Sequence, residues 1–323
     1  MLRKLFVLAG LALLAAPLPG PAAAQNFPTR PVTLVVPYPP GASTDQIARI
    51  VQPGLGRALG QPVVIENRGG GNGNIGAAYV AHGTADGHTV LLTTSAAIAM
   101  NPVLYPDIGY NPVRDLVPIT NAVRAVIAVA VPNALPVRTM PELIAYLRAN
   151  PDKATYGTAG AGSPQHVAGQ VLGRAIGVNM LHVGYRGGAG AVTDVIGGHV
   201  SMAIATLSAF LPQFDAGALR VIAVGEPQRF AGRPEIPTVA ETVPGFEATT
   251  WLGFFAAART PQPIVERLNR ELVAVLRTPE VQGKLQDLAL AVVADSSADF
   301  GNTVRTESAF WQRRLPELGI RPE

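Results

Sequence analysis

Four stretches of the sequence contain glycine, and three of them also carry hydroxyl side chains, which suits the binding of a small anion through hydrogen bonds. They are residues 38–45, 67–74, 157–166 and 185–190. Glycine lets the backbone come close to a ligand, and the free N–H groups at a helix start attract negative charge. Because each stretch precedes a helical pattern, we predict that the four loops bind a small organic mono- or dicarboxylate.

The candidate ligand-binding residues lie in these loops or at the ends of neighbouring strands. They are Tyr38, Pro40, Gly41, Ser43, Asp45, Gly71, Asn72, Gly73, Thr94, Ser95, Thr158, Ala159, Gly160, Ser163, His166, Arg186 and Thr206. The chain has no cysteine, and its five histidines show none of the spacings typical of metal ligands. We therefore predict no catalytic residue, no metal site and no cofactor.

The loops belong to two copies of one unit, which consists of a strand, a glycine-rich loop, a helix and a second strand. The stretch that begins at Arg68 in the first copy corresponds to the stretch that begins at Arg186 in the second. Strands that alternate with helices predict an α/β fold with mostly parallel sheets. Ligands bind at the carboxyl ends of such strands. We expect two facing lobes with the ligand in the cleft between them.

The first residues have the composition of an export signal. Arg3 and Lys4 precede an apolar stretch, and three alanines end at Ala24. We predict a signal peptide over residues 1–24, cleavage after Ala24 and a periplasmic location. The first lobe is then predicted to be discontinuous, over residues 25–124 and 236–323, and the second lobe to span residues 125–235.

Charge and composition restrict the partners. Hydrophobic residues make up 48% of the 323 residues and charged residues 15%, which is typical of a compact globular protein. The chain has 25 Lys and Arg against 22 Asp and Glu, and removal of Arg3 and Lys4 leaves 23 against 22. Nucleic-acid binding usually requires a clustered basic patch. We therefore expect a monomer that does not bind nucleic acid.

Three other functions compete with that of a carboxylate receptor for transport. Gly71, Gly73 and Gly76 have the spacing of a dinucleotide fingerprint, but the acidic residue that should end the next strand is missing. An exported hydrolase of small carboxylate esters or amides would use Ser163 or Asp194, although no nucleophile-elbow motif is present. A ligand receptor for a signalling sensor is compatible with the same loops.

Taken together, several motifs resemble one family, the periplasmic substrate-binding proteins of the tripartite tricarboxylate transporters, also called the Bug family. The motifs are VPYPPGASTD at residues 36–45, ENRGGGNGNIG at 66–76, YGTAGAGSPQH at 156–166, YRGG at 185–188, TDVIGG at 193–198 and PTVAE at 237–241.

The resemblance implies a two-lobed periplasmic binding protein fold, type II-like, that closes around a ligand and delivers it to membrane transporter subunits. It also implies that loops of the first lobe and the loop from Thr158 to Ser163 hold a proximal carboxylate. The sequence departs from the family pattern at Ala42, where a second glycine is common, and at Thr206, where an aspartate is frequent. The threonine argues against an amino-acid ligand.

Overall fold

The computed structural model describes residues 27–105, 107–185 and 187–319. The predicted signal peptide and the candidate residue Arg186 lie outside the described residues. Within the described ranges, no helix is long and apolar enough to cross a membrane.

The first part of the chain forms a parallel three-stranded unit and leads into a long strand. Its elements are β1 (Val32–Val36), α1 (Ser43–Leu59), β2 (Val63–Asn67), α2 (Asn74–Ala81), β3 (Thr89–Thr94), a π-helical segment (Ala96–Met100), α3 (Asn101–Leu104), α4 (Pro112–Asp115) and β4 (Leu116–Pro132). The strand order β2-β1-β3 is parallel throughout. Its carboxyl ends therefore meet at one edge, where the first two candidate loops begin.

The middle of the chain repeats this unit. Its elements are α5 (Met140–Ala149), β5 (Thr155–Thr158), α6 (Pro164–Ile176), β6 (Leu181–Gly184), α7 (Gly188–Ile196), β7 (Met202–Thr206), α8 (Leu207–Asp215) and β8 (Leu219–Val224). The order β6-β5-β7 is again parallel, so β5, β6 and β7 correspond to β1, β2 and β3. The duplicated sequence unit is thus a duplicated structural unit.

The remaining elements return to the first unit. They are β9 (Thr249–Ala257), α9 (Gln262–Leu276), α10 (Pro279–Asp287), β10 (Leu290–Val292) and α11 (Ser297–Glu317). Both β9 and β10 pair antiparallel with β4. The three parallel strands of each unit are therefore joined through antiparallel pairs, because β9 runs opposite to β3 and β4, and β4 runs opposite to β7.

Strand β4 belongs to both units, which we call the first and second lobes. It pairs with β9 as far as Val126, and with β7 from Ile127 onward. All the named strands consequently form a single ten-stranded mixed sheet. The α/β class and the two-lobed architecture that the sequence predicted are both present.

Each lobe has its own apolar core. Leu34, Ile47 and Leu268 are buried together in the first lobe. In the second lobe, Val239 and Phe246 are buried in the same cluster as Tyr156 and Leu147. Val239 and Phe246 therefore pack on the second lobe, although residues 236–323 are predicted to belong to the first, because their apolar side chains complete that core.

Helix α11 also joins the lobes. Leu315 and Leu318 are buried against Val167 of α6, and the guanidinium of Arg174 donates to the carbonyl oxygens of Glu317, at 2.9 Å, and Leu318. A cation at the carboxyl end of a helix satisfies carbonyls that have no partner within the helix. The end of α11 is thus fixed to the opposite lobe.

Candidate ligand-binding site

Two candidate residues from different lobes meet at the cleft. The Ser43 hydroxyl, at the start of α1, lies 3.2 Å from the hydroxyl of Thr206 and 3.3 Å from that of Ser208. Ser208 in turn donates to Thr206 over 3.0 Å. The structure therefore brings Ser43 and Thr206 together, although they are far apart in sequence, and adds Ser208, which the sequence analysis missed.

Several helix starts at this edge have no side-chain cap. The N-cap residues of α1, α2, α7 and α8 make no capping hydrogen bond through a side chain; they are Ala42, Gly73, Gly187 and Thr206. At the starts of α1, α7 and α8 the first N–H groups are therefore available to an anion, which the helix dipole also favours. In α2 the N–H groups of Asn74 and Ile75 already donate to the carbonyls of Gly71 and Gly70. The starts of α7 and α8 are adjacent, because a Cβ atom at Gly188 would lie 3.5 Å from that of Ala209.

Asp45 holds the first loop in place through hydrogen bonds to its carboxylate. Its carboxylate accepts hydrogen bonds from the Gly41 N–H at 2.9 Å, from Arg49 at 2.8 Å and from Asn67 at 3.0 Å. Burial raises the pKa of Asp45, but these hydrogen bonds outweigh that effect and hold the pKa below its usual value. Asp45 is 2% exposed, so it fixes the path of residues 41–45. Pro40, in the same loop, is exposed.

Tyr38 connects the first two loops with the end of β3. Its hydroxyl lies 2.8 Å from that of Thr94 and donates to the Asn72 carbonyl at 3.4 Å. Burial raises the pKa of Tyr38, which keeps the phenol protonated. Gly73 has φ +93°, and a Cβ atom there would lie 2.8 Å from the Tyr38 hydroxyl. Glycine is therefore required at residue 73 by both conformation and space.

An amide network supports the second loop. Asn72 donates to the side-chain oxygen of Asn101 at 3.1 Å. Asn101 donates to the Asn72 carbonyl at 3.1 Å and to Asn74 at 2.7 Å. The amide of Asn72 is thus engaged within the protein, and the turn from Gly71 to Gly73 is held by it. Asn101 is fully buried, and no motif in the sequence indicated its role.

Ser95 follows Thr94 but differs from it in environment. Its hydroxyl lies 3.0 Å from that of Thr250 on β9. Both residues are buried, Ser95 at 1% exposure. The hydroxyl of Ser95 therefore ties the end of β3 to its neighbouring strand.

The third loop is held by internal hydrogen bonds. The Thr158 hydroxyl lies 2.7 Å from Nε2 of His182 and accepts from the Gly160 N–H at 3.2 Å. The carbonyl of Ala159 accepts from the Gly187 N–H at 3.0 Å, which joins the third loop to the fourth. The two loops of the second lobe thus form one surface.

The hydrogen bonds of Ser163 and His166 are not those of a catalytic nucleophile and its base. Ser163 is the N-cap of α6, and its hydroxyl accepts from the backbone N–H of His166 at 3.2 Å. The imidazole of His166 instead accepts at Nδ1 from the Gly162 N–H at 3.1 Å. Burial, together with the neighbouring His182, lowers the pKa of His166 to about 4. The ring is therefore neutral near pH 7 and braces the loop.

The other hydrolase candidate, Asp194, lies within α7. It accepts from the Tyr185 hydroxyl and lies 3.4 Å from Nδ1 of His199. Burial raises the pKa of Tyr185 to about 12, and Asp194 contributes. The carboxylate thus holds the Tyr185 ring in place. In the described part of the chain, no group of three histidines, cysteines or carboxylates could hold a metal ion.

The chain matches known proteins over most of its length. A family model described as the tripartite tricarboxylate transporter family receptor matches residues 47–320. A relative from Pseudomonas sp. (strain P51), the UPF0065 protein in the tcbD-tcbE intergenic region, is 36% identical over 91% of this chain and 88% of its own length.

Solved structures have the same fold. The R. palustris protein Rpa4515, solved with adipate, gives a TM-score of 0.88 at 35% identity and covers 92% of this chain and 100% of its own. The periplasmic binding protein BugD gives 0.85 at 31% identity, with 92% and 100% covered. Both likenesses agree with the two-lobed α/β fold. This chain therefore belongs to the receptor family of the tripartite tricarboxylate transporters.

Proposed function

We propose that this chain is a monomeric periplasmic receptor that captures a small organic mono- or dicarboxylate and delivers it to the membrane subunits of a tripartite tricarboxylate-type transporter. The signal peptide would be removed after Ala24, and the protein would catalyse no reaction on its ligand. Family membership and the adipate bound to Rpa4515 support the ligand class.

The contact between Ser43 and Thr206 is the observation that carries this proposal. It places hydroxyl donors from both lobes within 3.2 Å of each other at a point where uncapped helix starts converge. Each charge-assisted hydrogen bond contributes about 1.5 to 3 kcal/mol, and each helix start roughly 0.3 to 2 kcal/mol. A few of each suffice for micromolar affinity, about 8 kcal/mol.

Closure of the lobes would bury the ligand. The chain crosses between lobes at Val126 and Ile127 in β4, and again where Ala248 precedes β9. We place the first lobe at residues 27–126 and 249–319 and the second at residues 127–248. Short crossing segments of this kind act as hinges in receptors that close on a ligand.

Calorimetric titration with adipate, malate, a monocarboxylate and the neutral diol of adipate length tests the ligand class. We expect micromolar binding of at least one carboxylate and none of the diol, because the diol has no anion for the helix starts. Thr206→Val should weaken that binding at least tenfold. Thr193→Val, the same change on an exposed part of α7, should leave it unchanged.

Three outcomes would count against the proposal. Binding of no carboxylate would remove the ligand class, and release of acid from small esters or amides by the purified protein would favour the hydrolase. Equal affinity of the Thr206→Val and Thr193→Val variants would remove Thr206 from the site.

A further inference from the structure

The first and third loops are braced in the same way by different chemical groups. The Gly41 N–H donates to the carboxylate of Asp45 at 2.9 Å, and the Gly162 N–H donates to Nδ1 of His166 at 3.1 Å. Both glycines have positive φ, +84° and +72°. In each case the acceptor lies four residues later, in the first turn of the following helix. Asp45 and His166 therefore occupy equivalent positions in the two lobes.

Asp45 and His166 also each contact a residue of a neighbouring strand. Asp45 reaches the end of β2 through Asn67 at 3.0 Å. His166 reaches β6, the equivalent strand, by stacking on His182 with ring centroids 3.9 Å apart and planes at 14°. His182 continues to the Thr158 hydroxyl at 2.7 Å. Each brace thus joins a loop glycine, the start of a helix and a neighbouring strand.

We propose that His166 and His182 form a positioning pair that holds residues 158–163 in the conformation that binds the ligand. This inference rests on the proposed function and assigns His166 a role behind the loop, without contact to the ligand. His166 is 4% exposed, and its ring nitrogen Nδ1 is engaged by the Gly162 N–H. It acts on the ligand through the loop backbone, as Asp45 acts through Gly41.

The hydrogen bond from the Gly162 N–H requires a neutral His166 ring. Nδ1 of His166 accepts a hydrogen bond, so the proton of the neutral imidazole is on Nε2. A protonated ring carries a hydrogen on both nitrogens and cannot accept from the Gly162 N–H. The low pKa of His166 agrees with this assignment. Stacking against His182 also disfavours charge on both rings.

The pair also faces a surface cavity of about 520 Å³. His166 and His182 line that cavity together with Gln170 and Leu181. An alanine at residue 166 would enlarge that cavity and remove the ring and the acceptor together, so alanine is a poor probe. Asparagine and phenylalanine separate the two roles better, because asparagine retains an acceptor near the position of Nδ1 and phenylalanine retains a ring without one.

The test compares His166→Asn with His166→Phe, with the exposed His199→Phe as control. Hydrogen exchange at the Gly162 amide is the first readout, since it reports the brace without any ligand. We expect exchange to accelerate at least tenfold in His166→Phe and to stay within threefold of wild type in the other two variants. The dissociation constant for adipate should rise at least tenfold in His166→Phe only.

His182→Phe provides a second probe if His166→Phe does not fold. It retains stacking and removes the contact with Thr158, so exchange at the Gly160 amide, which donates to Thr158, should accelerate at least threefold. Wild-type protection of Gly160 in that variant would overturn the proposal. So would wild-type exchange of Gly162 in His166→Phe. A loss of adipate binding in His166→Asn with Gly162 still protected would show direct contact and also overturn it.

The two proposals fail differently. If the wild-type protein does not bind adipate, the chosen ligand is wrong, and the exchange measurements still decide whether the histidines position the loop. If adipate binds and amide exchange is unaffected in His166→Phe and in His182→Phe, the positioning pair is wrong and the receptor function stands.

Discussion

The loop before α1 and the loop before α6 each hold a glycine N–H through a side-chain acceptor. They differ in the charge of that acceptor and in whether the start of the following helix is free to bind a ligand. In the first lobe, the ionised Asp45 is the acceptor and also pairs with Arg49. In the second, a neutral imidazole takes its place. The α1 start has no side-chain cap, whereas Ser163 caps α6. The first lobe therefore offers the start of α1 to a ligand, and the second offers those of α7 and α8 instead.

Replacement of Asp45 should have the largest effect. Asp45→Ala leaves the Gly41 N–H, Asn67 and Arg49 without their acceptor, and we expect a loss of about 4 kcal/mol in the free energy of unfolding. Asp107 is an exposed carboxylate that also accepts from a glycine N–H, at 3.0 Å. Asp107→Ala should cost about 0.5 kcal/mol or less. Urea unfolding of both variants makes the comparison, and equal losses would contradict a special role for Asp45.

Acidification should weaken the two braces in different pH ranges. The pKa of His166 is lowered from 6.5 to about 4 in the folded protein, so the unfolded chain binds a proton first as the pH falls. The free energy of unfolding should decrease by up to about 3 kcal/mol between pH 6.5 and 4 through this group. Asp45 has a lowered carboxyl pKa, so its contribution persists until the pH falls below about 4.

Urea unfolding at a series of pH values measures this difference. The His166→Asn variant should lack the His166 part of the decrease, so the gap between wild type and variant should narrow as the pH falls from 6.5 to 4. Parallel curves for the two proteins would show that His166 titrates in the folded state as it does in the unfolded chain.

Substitutions of the N-cap residues of α1 and α6 should have the smallest effect. Ser163→Ala removes the hydrogen bond to the His166 N–H and should cost about 1 kcal/mol of unfolding free energy. Ala42→Ser should add up to about 1 kcal/mol, because residue 42 has the extended conformation of an N-cap. The new hydroxyl would compete with a carboxylate for the start of α1. We expect adipate to bind about fivefold more weakly to Ala42→Ser, measured by calorimetry, and unchanged affinity would exclude that helix start from the site.

The sequence predicted the duplicated unit because its strands, glycine-rich loops and helices leave local patterns. It did not predict which polar side chains would be used inside the protein. Ser43 and Ser163 resemble each other as loop hydroxyls, yet the first reaches the other lobe and the second caps its own helix. Asn101 and His182 were missed as supports, because their partners come from segments that only the folded chain brings together.

The strand order and the boundary between the lobes could not be predicted fully from the sequence, for a related reason. Pairing of β9 with β4 joins segments that are distant in sequence, and no local pattern indicates its direction. The segment from Val239 to Phe246 contains one proline and one glycine. These residues indicate a connecting segment, but they do not indicate the core on which it packs.

The shared strand β4 also has a consequence for how the protein unfolds. Leu116–Pro132 supplies ladder hydrogen bonds to β9 on one side of the cleft and to β7 and β8 on the other. Neither lobe can melt without exposing the paired edge of the other, and the end of α11, held by Arg174, adds a second such dependence. Scanning calorimetry should therefore record one heat-absorption peak, with a van't Hoff enthalpy close to the calorimetric enthalpy.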